Sequence, residues 1–373
     1  MHRDDSNREL EPIERNTRRQ VFWSIYTAEK KLCSILGCPT VIDDAEWYTQ
    51  MPDAPMLGDG SISPEFMATE LELTRMSYRI RQCAYFDRVT KEERSPSLDT
   101  ATLLLQQCAA FFATIPESLT LDFSPVSPDQ RGRILLLHIY YYYTRCIVSR
   151  DFLCQKVERN LCYLEAKPPP LNEDWHRTLL MSEDCVDSAH QMLNCILAGA
   201  HLGMIGYSWL DLFFVSYSIL IVCADFLARP QQQVDSAKDG KRKEVVCAAL
   251  AFMRGVTKQA PTCTMVTQMA EQFAAITGVA NDELYATQPS PPGENGAMHD
   301  TGEISDIHED FFANATMDLG LDFCDLAQAA RSVPPCLPET LGQKGEQAYG
   351  YLETHPVAGG EVTDWTSRGL RTM

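Results

Sequence analysis

Positive charge is scarce in this chain: 32 Lys and Arg stand against 51 Asp and Glu, leaving a net charge of -19 over 373 residues. Such a balance repels nucleic-acid phosphate, so DNA contact would need a separate basic module, and none is visible. An apolar leader is also lacking. The opening MHRDDSNRELEPIERN is polar, unlike a secretory signal, and a reducing compartment with free thiols is the expectation for the 14 cysteines. There is no C-x2-C pair, and a single C-x4-C joins Cys33 and Cys38 with no second pair to complete a zinc site. Because Cys33 falls in an apolar helical repeat, core packing is its expected role. Cys146, Cys154 and Cys162 recur every eight residues, a step that rotates about 80° beyond full helical turns and spreads the thiols apart. The eight histidines form no HExxH and no i, i+4 pair, and nucleophile elbows, phosphate loops and dinucleotide fingerprints are missing. No active site assembles from these residues, so neither an enzyme nor a cofactor in this chain is expected.

Alternating strand patterns are equally rare, while 3.6-residue periodicity dominates, so the fold class is all-α, a multi-helix bundle. The first helix is predicted from Thr17 to Leu36, with Val21, Phe22, Ile25, Leu32, Ile35 and Leu36 facing inward and Gly37 then Pro39 stopping it. In SISPEF, Ser63 caps a second helix and Pro64 occupies its first turn; this helix is expected to reach Val89. Further helices are expected over Asp99–Thr114, Asp129–Arg159, Trp175–Leu202, Trp209–Leu227, Lys241–Lys258 and Thr262–Thr277. The prolines of KPPPLNED, 167–174, force an exposed crossing loop, and 231–240 reads as a polar connector. WLDLFFVSYSILIVCADFLA, 209–228, is nearly long enough to span a bilayer. With no second span and with polar residues in its middle, it is read as the buried helix of a bundle.

Composition changes after Ala280. Residues 281–373 hold 16 Asp and Glu against 4 Lys and Arg, a net charge of −12, and begin with a run rich in Pro, Gly and polar residues. A largely disordered acidic C-terminal tail is expected there. Within it, residues 303–326 interleave carboxylates with Ile307, Phe311, Phe312, Leu319, Leu321 and Phe323. This pattern suits a candidate activation segment that offers apolar anchors to a partner's groove; a last amphipathic helix docked on the bundle is the alternative.

Several constellations have bland readings beside sharper ones. Asp43 and Asp44 could open a magnesium site for a diphosphate enzyme, but no facing carboxylate motif accompanies them, and capping or loop solvation is expected. His138, inside RILLLHIYYYY, reads as a hydrogen-bonded core residue. The basic cluster KDGKRK, 238–243, reads as a solvated face, with nuclear import as the alternative. Asn314 matches a glycosylation acceptor by accident of sequence. The aromatic helices at Tyr140–Tyr143 and Trp209 suggest a small-molecule pocket between them, against the simpler reading of core.

The opening helix answers to a family pattern. Arg18 and Arg19 lead into Phe22, Trp23 and Tyr26, then Glu29 and Lys30, a Gly37 and Pro39 stop, and a loop closing at Met51-Pro52. The segment resembles the middle regulatory domain of fungal binuclear zinc-cluster transcription factors. RILLLHIYYYYTRCIVSRDFL, with His138 and Phe152, and SEDCVDSAHQM, 182–192, resemble later helices of that domain. Cys38 stands where the family has arginine, removing an expected partner for Glu29, and Asp151 stands in place of a proline. The resemblance implies a helical scaffold over 17–280 after a flexible 1–16, zinc only in the family's N-terminal module, and no specific DNA reading by this chain alone. It also implies a nuclear regulator of RNA polymerase II genes that engages co-regulators or the transcription machinery, with a homodimer, a heterodimer or a metabolite effector left open. The chain is expected to begin partway into the regulatory domain, through a truncated gene reading or through action with a partner.

Overall fold

The computed structural model describes residues 4, 8–52, 63–86, 96–121, 128–165, 173–203, 209–227, 237–259 and 263–280. The chain divides into one unit over Met1–Ser332 and a second over Val333–Met373, and the second lies wholly outside the described residues. Among the described residues there are eight α-helices and no β-sheet. They are α1 (Pro12–Leu36), α2 (Pro64–Arg81), α3 (Leu98–Thr114), α4 (Pro128–Glu165), α5 (Glu173–His201), α6 (Trp209–Leu227), α7 (Ala237–Gln259) and α8 (Thr264–Ile276). A π-turn at Gln82–Phe86 extends α2, and a 3-10 turn at Glu117–Leu119 follows α3.

Local chemistry sets several boundaries. Ser63 Oγ accepts from the Phe66 amide at 3.1 Å while Pro64 holds the first turn, as predicted. Ser97 does the same for α3 through the Thr100 amide. Gly37, at φ 70°, takes the left-handed conformation that ends α1. Several boundaries differ from expectation, among them the end of α4, which runs on to Glu165, past the expected Arg159. Helix α1 begins at Pro12, whose missing amide hydrogen suits a first turn, so the N-terminal 1–16 is not irregular throughout. Helix α7 begins at Ala237, taking the end of the expected connector into its first turn. The proline-rich crossing around 166–172 and the acidic tail with Asn314, Ile307, Phe311, Phe312, Leu319, Leu321 and Phe323 lie outside the described residues.

The long helices α4, α5 and α6 form the centre, with α7 and α8 against α5 and α6, and α2 and α3 against α4. Helix α6 is apolar all round because it is surrounded: 83% of Leu210–Leu227 is buried. By length and composition α6 could cross a membrane, and it is the core helix that the sequence led us to expect. Tyr143 of α4 packs its ring against Phe213, Phe214 and Tyr217 of α6 at centroid separations of 5.9, 5.3 and 5.2 Å. These interlocked rings fit the simpler reading of the two helices as core, set against a pocket between them.

Candidate functional site

Helix α1 leans chiefly on α2 and carries a small core of its own, built from Phe22, Trp23, Tyr26 and Leu71. Its inward face differs from the predicted one. Phe22, Ile35 and neighbouring Trp23 and Tyr26 are buried, but Val21, Ile25 and Leu32 are 40%, 52% and 37% exposed, and Leu36 is half-buried. The physical reason is the loop after Gly37, which folds back over the aromatic side. Trp47 from that loop meets Trp23 edge-on at 4.9 Å and approaches Phe22 and Tyr26 at 5.7 Å. Aromatic rings bury more surface than aliphatic chains, and on the loop side the Tyr26 hydroxyl finds Asp44 and the Trp23 indole N–H finds Gln50.

Polar bonds then fasten loop to helix. Arg19 donates from Nε and Nη2 to the Asp4 carboxylate, at 2.7 Å for the shortest contact, and from Nη2 to Gln50 Oε1 at 2.7 Å. The indole of Trp23 donates to the Gln50 carbonyl at 2.9 Å. Tyr26 donates to Asp44 Oδ1 at 2.9 Å. Burial first, and then the Asp44 carboxylate, push the Tyr26 phenol up, so it stays a donor at physiological pH. Lys30, 1% exposed, donates to the Ile42 carbonyl at 2.7 Å and pairs with Asp44 at 3.4 Å while lying over the Tyr78 ring. A guanidinium from α2, Arg75, stacks on both Trp23 and Trp47 at 5.4 Å.

The motif residues of the sequence reading thus take distinct places. Arg19, Phe22, Trp23 and Tyr26 take part in the clamp and Gly37 starts the loop that closes it, whereas Arg18 lies outside it in an i, i+4 pair with Glu14 at 3.0 Å. Glu29 has a substitute for the expected arginine: its Oε1 accepts from the Val41 amide at 2.5 Å and the Ile42 amide at 3.3 Å. Pro39 is exposed and Pro52 half-buried. Asp44 does more than solvate a loop, since it receives Tyr26 and Lys30, while Asp43 accepts from the Ala45 amide at 2.9 Å. Both aspartates thus fasten the loop, Asp44 to helix α1 and Asp43 to its own backbone.

His138 lies on α4, away from this clamp, 2% exposed and with Nε2 donating to the Leu119 carbonyl at 2.9 Å. Burial holds its imidazole below the usual range, so the ring is a neutral core donor, as its apolar surroundings suggested. Phe152 is buried nearby in sequence, and Asp151 pairs loosely with Arg150 at 3.9 Å.

The basic cluster at the start of α7 is a solvated face only in part: Lys238 and Lys241 are exposed, but Arg242 turns inward. Arg242 is 1% exposed and reaches three carboxylates: Glu183 at 2.8 Å, Asp187 at 2.7 Å and Asp225 at 3.4 Å. Lys238 joins Glu183 and Asp187, and Lys156 of α4 meets Asp225 at 2.6 Å. Asp225 is fully buried in the apolar helix α6. A buried carboxylate in such a run demands cations, the one signal by which this network could have been foreseen. Asp4, Gln50, Trp47 and Arg75 had no comparable signal.

Neither assembly brings together a nucleophile, base and electrophile. Cys33 is half-buried and Cys38 exposed, so neither belongs to the core as expected of Cys33. Among the described residues, no cluster of three metal-ligating side chains occurs. A shallow cleft of about 130 Å³ lies between the start of α2 and α4, near Ser63, Ser118, Gln130 and Arg133.

Residues 1–113, which contain the whole clamp, match the family described as the fungal specific transcription factor domain. Two relatives, both an ABC-transporter-regulating transcription factor, come from Aspergillus oryzae and Aspergillus fumigatus. They are 24% and 23% identical over 249 residues, covering 62% of this chain and 27% of each relative. The transcriptional activator protein acu-15 of Neurospora crassa is 26% identical over 154 residues, 38% of this chain and 16% of its own length. The chain therefore spans less than a third of the length of these curated relatives. No solved structure matches the chain.

Proposed function

We propose that this chain is the regulatory portion of a fungal transcription regulator acting in the nucleus on RNA polymerase II genes, because its residues 1–113 match the fungal specific transcription factor domain. The observation that supports it best is the position of the family match. It falls on the α1 clamp, whose buried rings and ion pairs hold a loop in place. In this reading the helices are a scaffold, contact with DNA is made by other means, and the output passes through protein partners. The acidic residues 303–326 are proposed as the effector segment, with Ile307, Phe311, Phe312, Leu319, Leu321 and Phe323 as its anchors.

The reading is tested by tethering. The full chain, and residues 303–326 alone, are each fused to a heterologous DNA-binding domain in a fungal host and assayed on a matched reporter. Output above background from the short segment, reduced in the full-length fusion, is the expected result and would fit a bundle that restrains its effector. Background output from both fusions would overturn the activating role.

A further inference from the structure

The C-x4-C unit has no part in the clamp's ion pairs, yet the end of α1 brings its two residues together. In a continuing helix, residues 33 and 38 would be displaced by about 7.5 Å along the axis and rotated about 140° apart, out of bonding reach. Gly37 prevents that by turning left-handed at φ 70°. The chain folds back, and Cys33 Sγ comes within 3.5 Å of the Pro39 carbonyl oxygen, next to Cys38. Arg81 holds the returned segment in place: a single nitrogen, Nη1, donates to the carbonyls of both Cys33 and Cys38. Cys38 is exposed and Cys33 half-buried, whereas Cys108, Cys146, Cys185, Cys195 and Cys223 are buried.

We propose that Cys33 and Cys38 form a reactive dithiol that hydroperoxides convert into an intramolecular disulfide. This site belongs to the particular sequence of this chain and stands apart from the transcriptional reading. Cys38, the exposed thiol, attacks as thiolate. Its sulfur bonds to a peroxide oxygen, the O–O bond breaks, and the departing oxygen takes a proton to leave as water or alcohol, with Cys38 now a sulfenic acid. Cys33 sulfur then attacks Cys38 sulfur; the S–S bond forms, the S–O bond breaks, and hydroxide leaves with the Cys33 proton as water. The dithiol loses two hydrogens and two electrons, and the hydroperoxide gains them. Burial first, then the Glu29 carboxylate, raise the Cys33 thiol, which leaves the first attack on the peroxide to the exposed Cys38. The product ties the end of α1 to the loop whose amides at Val41 and Ile42 are held by Glu29.

The test uses the full reduced chain treated with hydrogen peroxide, alkylated and cleaved after Lys and Arg. Cys33 and Cys38 share the fragment 32–75, which has no other cysteine, while the second exposed thiol, Cys83, lies in a different fragment. The expected result is a 32–75 fragment lighter by two hydrogens and closed to alkylation, restored by dithiothreitol and unchanged in Cys83→Ser. Cys38→Ser should lose this product. Persistence of both thiols, over-oxidation of Cys38 without pairing, or a cross-link from Cys38 to Cys83 would each overturn the proposal, and all are read on the wild-type chain.

Discussion

Removing the charge from Asp4 takes the carboxylate from the Arg19 guanidinium beneath the loop while its bond to Gln50 stays, although the two backbone positions need not move. Burial by itself would raise the Asp4 carboxyl. Hydrogen bonds from Arg19 and the Gln50 amide, together with the Arg19 charge, outweigh it and hold the group below its ordinary 3.8. A carboxyl lowered in the folded state contributes stability above that ordinary value and loses it as pH falls through the folded one. Asp4→Asn should therefore cost about 1.5–3 kcal/mol at neutral pH, the range for a hydrogen bond to a charged group. Urea unfolding across a pH series checks both points: the gap between wild type and variant should be constant near neutrality and close on acidification below about pH 4. A gap that stays constant down to pH 2 would assign the effect to packing.

Gly37 and Arg242 show what single positions mean for whole helices. At φ 70° a side chain at position 37 is strained, so Gly37→Ala should cost about 1–2 kcal/mol, and should loosen the 38–50 loop as well as the end of α1. Amide exchange in 41–50, measured beside global unfolding, separates these effects. For α7, Arg242→Ala takes one cation from the fully buried Asp225, which Lys156 still meets, and should cost about 3–5 kcal/mol, whereas Lys238→Ala, at a half-exposed site, should cost less than about 1 kcal/mol. Denaturant midpoints of the two variants decide between a clasp and a surface decoration.

Helix positions were largely legible in the sequence, because caps and prolines act locally: Ser63-Pro64 starts α2, and Gly37 ends α1. The inward face of α1 was not legible. Val21, Ile25 and Leu32 satisfy a helical repeat, but the choice between two faces is made by Trp47 and Gln50, which lie far along the chain. The same holds for Lys30 and Arg242, buried charges whose partners come from a loop and from two other helices. Residue type alone places such groups in solvent, and only the fold supplies what neutralises them.

Across the whole molecule, the buried side chains fall into two clusters of unequal size. The large one runs through all of α2 to α8, and the small one joins α1 to Leu71 of α2 under the returning loop. Ile35 is the buried apolar residue of α1 that belongs to the large cluster, so the first six turns of the helix depend on the loop that covers them. Segments with little shared apolar burial open at lower free energy than the global transition. Native-state hydrogen exchange at low denaturant should accordingly show amides of 19–30 opening by a sub-global route, while those of Leu135–Val148 in α4 and Val215–Ala224 in α6 exchange only on complete unfolding. Weakening the clamp through Asp4→Asn should speed exchange in 19–30 and leave α6 unchanged. If both groups of amides respond equally, the clamp and the bundle unfold as one unit.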